Sequence, residues 1–136
     1  MSKLEPGITN ESTMLVQAKH TASHLGSGSR GVDVLATPIM IGLMEDAARH
    51  LVDPRLEPGQ MTVGVNLNVT HLAATPIGMQ VTARAELTEV AGRWLTFKVA
   101  AYDEKEKIGE GTHTRAIIKL DHFMAKAREK SPDLLS

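Results

Sequence analysis

The sequence contains no cysteine among its 136 residues. This excludes disulfide bonds, thiolate zinc sites and cysteine nucleophiles. Aromatic residues make up only 3% of the chain, too few for a base-stacking platform or an aromatic sugar-binding cleft. The formal net charge is −1, so no overall field attracts nucleic-acid phosphates. We therefore expect an aliphatic core and a function that needs neither thiol chemistry nor a nucleic-acid partner.

The chain also lacks a long apolar run. No segment approaches the roughly 18 apolar residues of a membrane span, and the first residues lack the apolar centre of a signal peptide. We expect a cytoplasmic protein with no membrane partner. The 42% of hydrophobic residues suffice for one core, so residues 1–136 are predicted to form a single domain, with 1–11 as a loosely ordered lead-in and 131–136 as a frayed tail.

One segment predicts a long helix. Thr37 is a typical N-cap residue, Pro38 suits the first helical position, and Asp53-Pro54 predicts the end. One broad face is apolar, with Glu45 at its margin. That face comprises Met40, Ile41, Leu43, Met44, Ala47, Ala48, Leu51 and Val52.

Strands are predicted on both sides of this helix. Residues 12–19 form a first strand, and the glycine-rich segment 20–31 reads as a mobile loop long enough to act as a lid. After the helix the period changes to two, which predicts four strands joined as a meander, then a short helix that Asp121 caps. The predicted strands cover 61–73, 79–88, 93–102 and 108–120. The fold class is α+β, an antiparallel sheet curled around one helix, and its uncovered face and edges favour a homodimer.

Three polar residues lie in or beside apolar patterns. His71 is in phase with Val63, Val65, Leu67 and Val69, so its imidazole needs a partner or loses its charge, although most such histidines are satisfied core residues. An ion pair with Arg49 one turn later would explain Glu45. Capping alone would explain Thr37.

Gly64 and Arg115 lie on predicted strands. A glycine within a valine-rich strand indicates a bulge or the close approach of another group. Arg115 alternates with His113 and Ile117, where a charge on the sheet surface is the default.

A hydroxyl, a carboxylate and an imidazole form an adequate set for acyl transfer. The N–H groups at the start of the helix can hold a developing oxyanion. Nucleotide-binding glycine motifs, the serine elbow of α/β-hydrolases and the HExxH metal motif do not occur. The six histidines show no ligand cluster, so no metal is expected and metal-assisted hydrolysis is the weakest alternative.

Four stretches resemble the hotdog-fold acyl-CoA thioesterases, and within them the fluoroacetyl-CoA thioesterase group. They are 42–45 (GLME), 56–59 (LEPG), 69–78 (VTHLAATPIG) and 111–116 (GTHTRA), and the likeness spans about residues 35–130. The resemblance implies a hotdog fold and hydrolysis of a short-chain acyl-CoA to free acid and CoA. It implies no cofactor, because CoA is part of the substrate.

The resemblance also assigns residues. It makes Thr37, Glu45 and His71 catalytic and makes Gly64 and Arg115 substrate contacts. It further implies a homodimer, or a dimer of dimers, with active sites at the subunit interface. Glu45 is left with three roles: it orients the histidine, activates water or attacks as a nucleophile.

Some features stay open at this stage. The related enzymes carry a phenylalanine in the lid, whereas residues 26–36 here, GSGSRGVDVLA, have no aromatic, so fluoroacyl selectivity is not predicted. Thr37 and Glu45 are eight residues apart, roughly 12 Å along a helix, so the helix starts late, a bridging group intervenes or two subunits share a site. A non-catalytic acyl-CoA-binding module and a hotdog hydratase or dehydratase are the alternatives. Lys126, Arg128 and Lys130 form a solvated face or contact CoA phosphates.

Overall fold

The computed structural model describes residues 3–25 and 29–131. These residues form five strands and two helices, together with short 3-10 turns at Ala18–His20, Ala22–His24 and Asp53–Arg55. In chain order the elements are β1 (Thr9–Leu15), α1 (Thr37–Val52), β2 (Gln60–His71), β3 (Gln80–Ala91), β4 (Trp94–Tyr102), β5 (Lys107–Lys119) and α2 (Leu120–Arg128). The predicted α+β class is confirmed.

The sheet is antiparallel throughout, with strand order β1-β3-β4-β5-β2. Strands β3, β4 and β5 form the expected meander. The prediction of a meander from β2 to β3 is wrong, because β2 pairs with β5 and the chain crosses to the far side of the sheet before β3 begins. This arrangement places β2 at one edge of the sheet and β1 at the other.

Helix α1 fills the concave face of the sheet. Its buried residues recur at helical spacing and match the predicted face except Ile41, which is half-buried. They pack against the alternating buried side chains of β3 and β4, which include Leu87 and Phe97. The burial of this aliphatic surface is the main force that fixes the helix on the sheet.

The segment before α1 differs from the prediction. The first strand begins at Thr9, inside the expected lead-in, because residues 9–15 pair with residues 80–86 of β3. It ends at Leu15, and two 3-10 turns follow. Backbone hydrogen bonds from Ala22 to Val34 and from Ala36 to His20 tie these turns to the start of α1. Residues 18–24 are therefore anchored, whereas residues 26–28 of the predicted lid lie outside the described residues.

A β-bulge between Gly64 and Asn66 changes the faces of β2. On the helix side, Thr62 and Gly64 precede the bulge and Leu67 and His71 follow it. The prediction that Val63 and Val65 share a face with His71 is therefore wrong, because one extra residue inverts the alternation. Val65 is 49% exposed and Leu67 is 38% exposed.

The C-terminal helix starts one residue before Asp121. Lys119 occupies the N-cap position without a side-chain cap, so the predicted capping by Asp121 is wrong. Residues 132–136, most of the predicted frayed tail, lie outside the described part of the chain. No helix in residues 3–25 and 29–131 is long and apolar enough to cross a membrane.

Candidate active site

The hydroxyl of Thr37 contacts the imidazole of His71. Thr37 Oγ1 and His71 Nδ1 share a hydrogen bond of 2.7 Å, and the tautomer of the ring decides which group donates. The predicted capping role of Thr37 is wrong, because Ala36 is the N-cap and Thr37 is the first helical residue. Pro38 has no N–H, and the N–H groups of Ile39 and Met40 donate to the carbonyl of Ala36. Any oxyanion contact from this helix end therefore falls to Thr37.

The other ring nitrogen of His71 is buried without a hydrogen-bond partner among the described residues. Leaving a buried polar group unsatisfied costs about 1–3 kcal/mol. Such groups are rare in folded proteins and are found where a site has its own use for them. The ring is thus fixed on the Nδ1 side and unsatisfied on the Nε2 side.

Glu45 approaches Arg115 instead of Arg49. Its Oε2 lies 3.8 Å from Nη1 of Arg115, whereas Arg49 pairs with Asp46 at 2.8 Å. The surface ion pair considered for Glu45 is therefore wrong. Gly64 faces the same carboxylate, and a Cβ added there would lie 2.7 Å from Oε2. The expectations of a bulge and of a close approach at Gly64 are both confirmed.

Arg115 is buried, contrary to the expectation of a surface charge. Only 5% of the residue is exposed, and its guanidinium group is bonded to Thr62 of the neighbouring strand β2. Nε donates to Thr62 Oγ1 at 2.8 Å and Nη2 donates to the Thr62 carbonyl at 3.0 Å. The Thr62 hydroxyl in turn donates to Asp53 Oδ1 at 2.6 Å. This chain of hydrogen bonds holds the guanidinium group beside Glu45.

His113 completes this cluster. Its Nδ1 donates to the carbonyl of Asn66 in the bulge at 2.8 Å, so Nε2 accepts the N–H of Arg115 at 3.2 Å and the ring is neutral. Burial lowers the pKa of His113, and the positive charge of Arg115 lowers it further. Sequence reasoning named His113 only as a neighbour of Arg115 and missed Thr62. The alternation of β5 gave a signal for His113, because it places His113 and Arg115 on the same face of the strand.

Glu45 and Arg115 line an open cleft of about 480 Å³ beside α1. His20 lines the same cleft, and its Nδ1 accepts the backbone N–H of Gln17 at 3.0 Å. The remaining lining comes mainly from α1, including Ile39 and Leu43. Among residues 3–25 and 29–131, no three histidine, aspartate or glutamate side chains form a group that can hold a metal ion.

The candidate residues form two groups within one chain. Thr37 and His71 make the first, and Glu45, Gly64 and Arg115 make the second. No hydrogen bond or ion pair of the described residues joins the two groups. The helix does not start late, since α1 begins at Thr37, and so the separation of roughly 12 Å along it stands.

A family model described as fluoroacetyl-CoA-specific thioesterase, FlK, matches residues 16–121. This range includes every residue of both groups. The chain belongs to this thioesterase family. The prediction of a thioester hydrolase is confirmed over a non-catalytic binding module and over a hydratase.

Individual relatives agree with this family. The fluoroacetyl-CoA thioesterase of Streptantibioticus cattleyicolor is 50% identical over 100 residues, which cover 74% of this chain and 72% of the relative. The structure of a variant of the fluoroacetyl-CoA thioesterase FlK in complex with acetyl-CoA is 41% identical, with a TM-score of 0.89 over 95% of this chain and all of that one. A Thermus thermophilus protein of the thioesterase superfamily is 27% identical, with a TM-score of 0.89 over 98% of both chains. The predicted hotdog fold is confirmed.

Proposed function

We propose that this thioesterase hydrolyses short-chain acyl-CoA substrates and that its two residue groups act together on the thioester. Water adds to the carbonyl carbon, the C–S bond breaks, and the products are the free acid and CoA. The observation that carries this proposal is the 2.7 Å hydrogen bond between Thr37 and His71 at the start of α1. A threonine hydroxyl at the start of a helix usually caps the helix, but here it is hydrogen-bonded to an imidazole.

Thr37 is proposed to stabilise the oxyanion, and His71 is proposed to protonate the leaving group. The Thr37 hydroxyl holds the thioester oxygen as it becomes an oxyanion, since it is the side-chain donor at the positive end of α1. His71 is proposed to act with both ring nitrogens protonated. Its Nδ1–H then donates to Thr37 Oγ1, which leaves the hydroxyl proton for the oxyanion, and its Nε2–H gives its proton to the leaving thiolate. The unsatisfied Nε2 supports this role, since it has no competing partner within the described chain.

Glu45 is proposed to act directly at the carbonyl carbon, as the base for water or as the nucleophile. The third role considered, orientation of His71 within the same chain, lacks support because the two side chains share no contact. Arg115 lies 3.8 Å from this carboxylate and fixes its direction. A single turnover in ¹⁸O-labelled water tests the nucleophilic role. A nucleophilic Glu45 displaces CoA as its thiolate and forms a mixed anhydride, and water that opens this anhydride at the glutamyl carbonyl leaves the label in the Glu45 carboxylate, whereas a general base stays unlabelled.

A second copy of the chain is proposed to complete each site. Strand β2 is an edge strand, and edge strands present unpaired backbone groups to a partner. Its exposed Val65 and Leu67 favour contact with an apolar surface. Pairing of two β2 strands around a twofold axis would bring Glu45 of one chain towards His71 of the other and remove the separation along α1.

Subunit complementation tests this shared site. Glu45→Gln and His71→Ala proteins are each expected to be nearly inactive. After equal amounts are mixed and the subunits exchange, half the dimers are mixed, and each has one intact site if the residues come from different chains. We expect about a quarter of wild-type activity. No recovery, with subunit exchange confirmed by mass-tagged chains, contradicts the shared site.

A thioester panel tests the reaction itself. Acetyl-, propionyl-, fluoroacetyl-, hexanoyl- and decanoyl-CoA are incubated with the protein and a thiol-detecting reagent. We expect CoA release from the short substrates and a loss of roughly 10²- to 10⁴-fold in His71→Ala. His50→Ala, an exposed histidine of α1 outside the cleft lining, serves as a matched control. Turnover in His71→Ala near that of the control refutes the assignment.

The panel also addresses selectivity. A variant of the 41% identical enzyme binds acetyl-CoA, which supports a small acyl group for this chain. The segment before Thr37 has no aromatic side chain, so we propose that fluoroacetyl-CoA has no large advantage over acetyl-CoA. A cytoplasmic location stays a prediction.

A further inference from the structure

We propose that a cationic groove beside α2 binds the 3′-phosphorylated ADP portion of the CoA substrate. This inference rests on the proposed function, since it assigns a second part of the same substrate to a separate surface. The groove has a volume of about 400 Å³ and lies where β2 and β5 meet the start of α2. We name it the α2 groove, and its lining consists of Gln60, Arg93, Ile117, Ile118, Lys119, His122, Phe123 and Lys126.

The charge of the α2 groove fits a polyphosphate. Arg93, Lys119 and Lys126 carry positive charges at neutral pH. The described lining contains no acidic side chain, although the whole chain has a net charge of −1. A local cluster of cations within a nearly neutral chain favours a ligand with several negative charges. The three phosphate groups of CoA supply them.

Two side chains make the α2 groove suited to a nucleotide instead of a simple anion. Phe123 is 42% exposed, and an exposed aromatic ring on the wall of a cationic groove can stack against a purine. The guanidinium group of Arg93 lies 4.7 Å from the centre of the Trp94 ring. This stacking orients the guanidinium group while its N–H edge remains available to phosphate.

The position of the α2 groove also fits the length of CoA. Gln60 of β2 pairs with Lys119 of β5 at the groove, and Gly64 pairs with Arg115 beside Glu45. The two pairs are four residues apart on each strand, roughly 13 Å. The extended pantetheine arm, a flexible chain with two amide groups, can span this distance. A thioester near Glu45 and a nucleotide in the α2 groove are thus compatible with one substrate molecule.

Among the basic residues of α2, the structure separates Lys126 from Arg128. Lys126 lines the α2 groove, whereas Arg128 is exposed on the same helix outside it. Lys126→Glu and Arg128→Glu therefore change the net charge equally but only the first changes the groove. The two acidic residues of this region, Asp121 and Glu129, also lie outside the lining.

The experiment compares acetyl-CoA with S-acetyl-pantetheine, which lacks the nucleotide. We expect Lys126→Glu to raise KM for acetyl-CoA roughly three- to tenfold and to leave kcat/KM for acetyl-pantetheine unchanged. Arg128→Glu should leave both substrates within about twofold of wild type. Equal effects of Lys126→Glu on the two substrates, no effect on either, or equal effects of the two variants on acetyl-CoA overturn the proposal.

A binding measurement keeps this test independent of catalysis. Calorimetry with adenosine 3′,5′-bisphosphate should show binding to wild type and Arg128→Glu, with affinity lost in Lys126→Glu and in the milder Lys126→Met. Thermal unfolding checks that each variant is folded, and Lys126→Met replaces Lys126→Glu if the charge reversal prevents folding. Absence of binding to the wild type overturns the groove assignment. Binding without hydrolysis of any thioester retains the groove and refutes the proposed function.

Discussion

Gly64→Ala is predicted to damage catalysis without damaging the fold. The added Cβ would lie 2.7 Å from Oε2 of Glu45, whereas ordinary contacts start near 3.4 Å, so the carboxylate must retreat by about 0.7 Å. A misplacement of 1 Å in an active site can cost about 10²-fold, and we expect kcat to fall roughly ten- to hundredfold. The Glu45 side chain is 37% exposed and can move away, so the free energy of unfolding should change by less than about 1 kcal/mol.

The assay combines steady-state kinetics on acetyl-CoA with denaturant unfolding. The Gly64→Ala substitution is also made in a Glu45→Asp variant, whose shorter side chain lies farther from the added Cβ. If displacement of the carboxylate causes the loss, Gly64→Ala costs much less activity in the Glu45→Asp background than in the wild type. A kcat within twofold of wild type, or equal losses in both backgrounds, refutes the reasoning. A loss of several kcal/mol of stability would instead assign Gly64 a purely structural role.

Three other residues have distinct expected outcomes. Thr37→Ala should lower kcat by 10-fold or more while thermal unfolding changes little, since its hydroxyl contacts His71 and caps nothing, and Thr37→Ser should keep most activity. Gly109→Ala should destabilise the fold by about 1–3 kcal/mol in denaturant, because a Cβ there would lie 2.6 Å from the sulfur of the buried Met40. The lowered pKa of buried His113 means that the unfolded chain takes up its proton first as the pH falls through about 6.5, so stability is lost on acidification. His113→Gln should flatten this part of a pH series of unfolding free energies, and an unchanged slope contradicts the assignment.

Local patterns predicted the elements of this fold better than their pairing. The apolar face of α1 and the alternation of β3 and β4 follow from short-range periodicity, and the structure confirms them. The pairings of β2 with β5 and of β1 with β3 join distant parts of the chain, which short-range periodicity does not report. The first strand was predicted over residues 12–19 but starts at Thr9, because the polar residues at its start are held by β3 and not by their own propensity.

The bulge at Gly64 explains why the contacts of the candidate site residues differ from those predicted. A strict period of two assigns His71 to one face with Val63, but one extra residue in β2 puts Gly64 on the face of His71 instead, beside Glu45. Arg115 faces the same side through the alternation of β5. The sequence indicated this only through the glycine itself. A strand without the bulge would place Val65 opposite the carboxylate, where a branched side chain would fill the space that Gly64 leaves open.

The same geometry limits what one chain can do. Thr37 and Glu45 are held rigidly on α1, so a small rotation of side chains does not remove their separation of roughly 12 Å. A substrate carbonyl group can contact a threonine and a glutamate of this kind only if one of the two comes from a second chain. Edge strand β2 carries His71 and the exposed Leu67, so a second copy that pairs there is the simplest source. In the proposed dimer, the helix provides a hydroxyl to one site and a carboxylate to the other, and recovery of activity in mixed dimers would follow directly from that division.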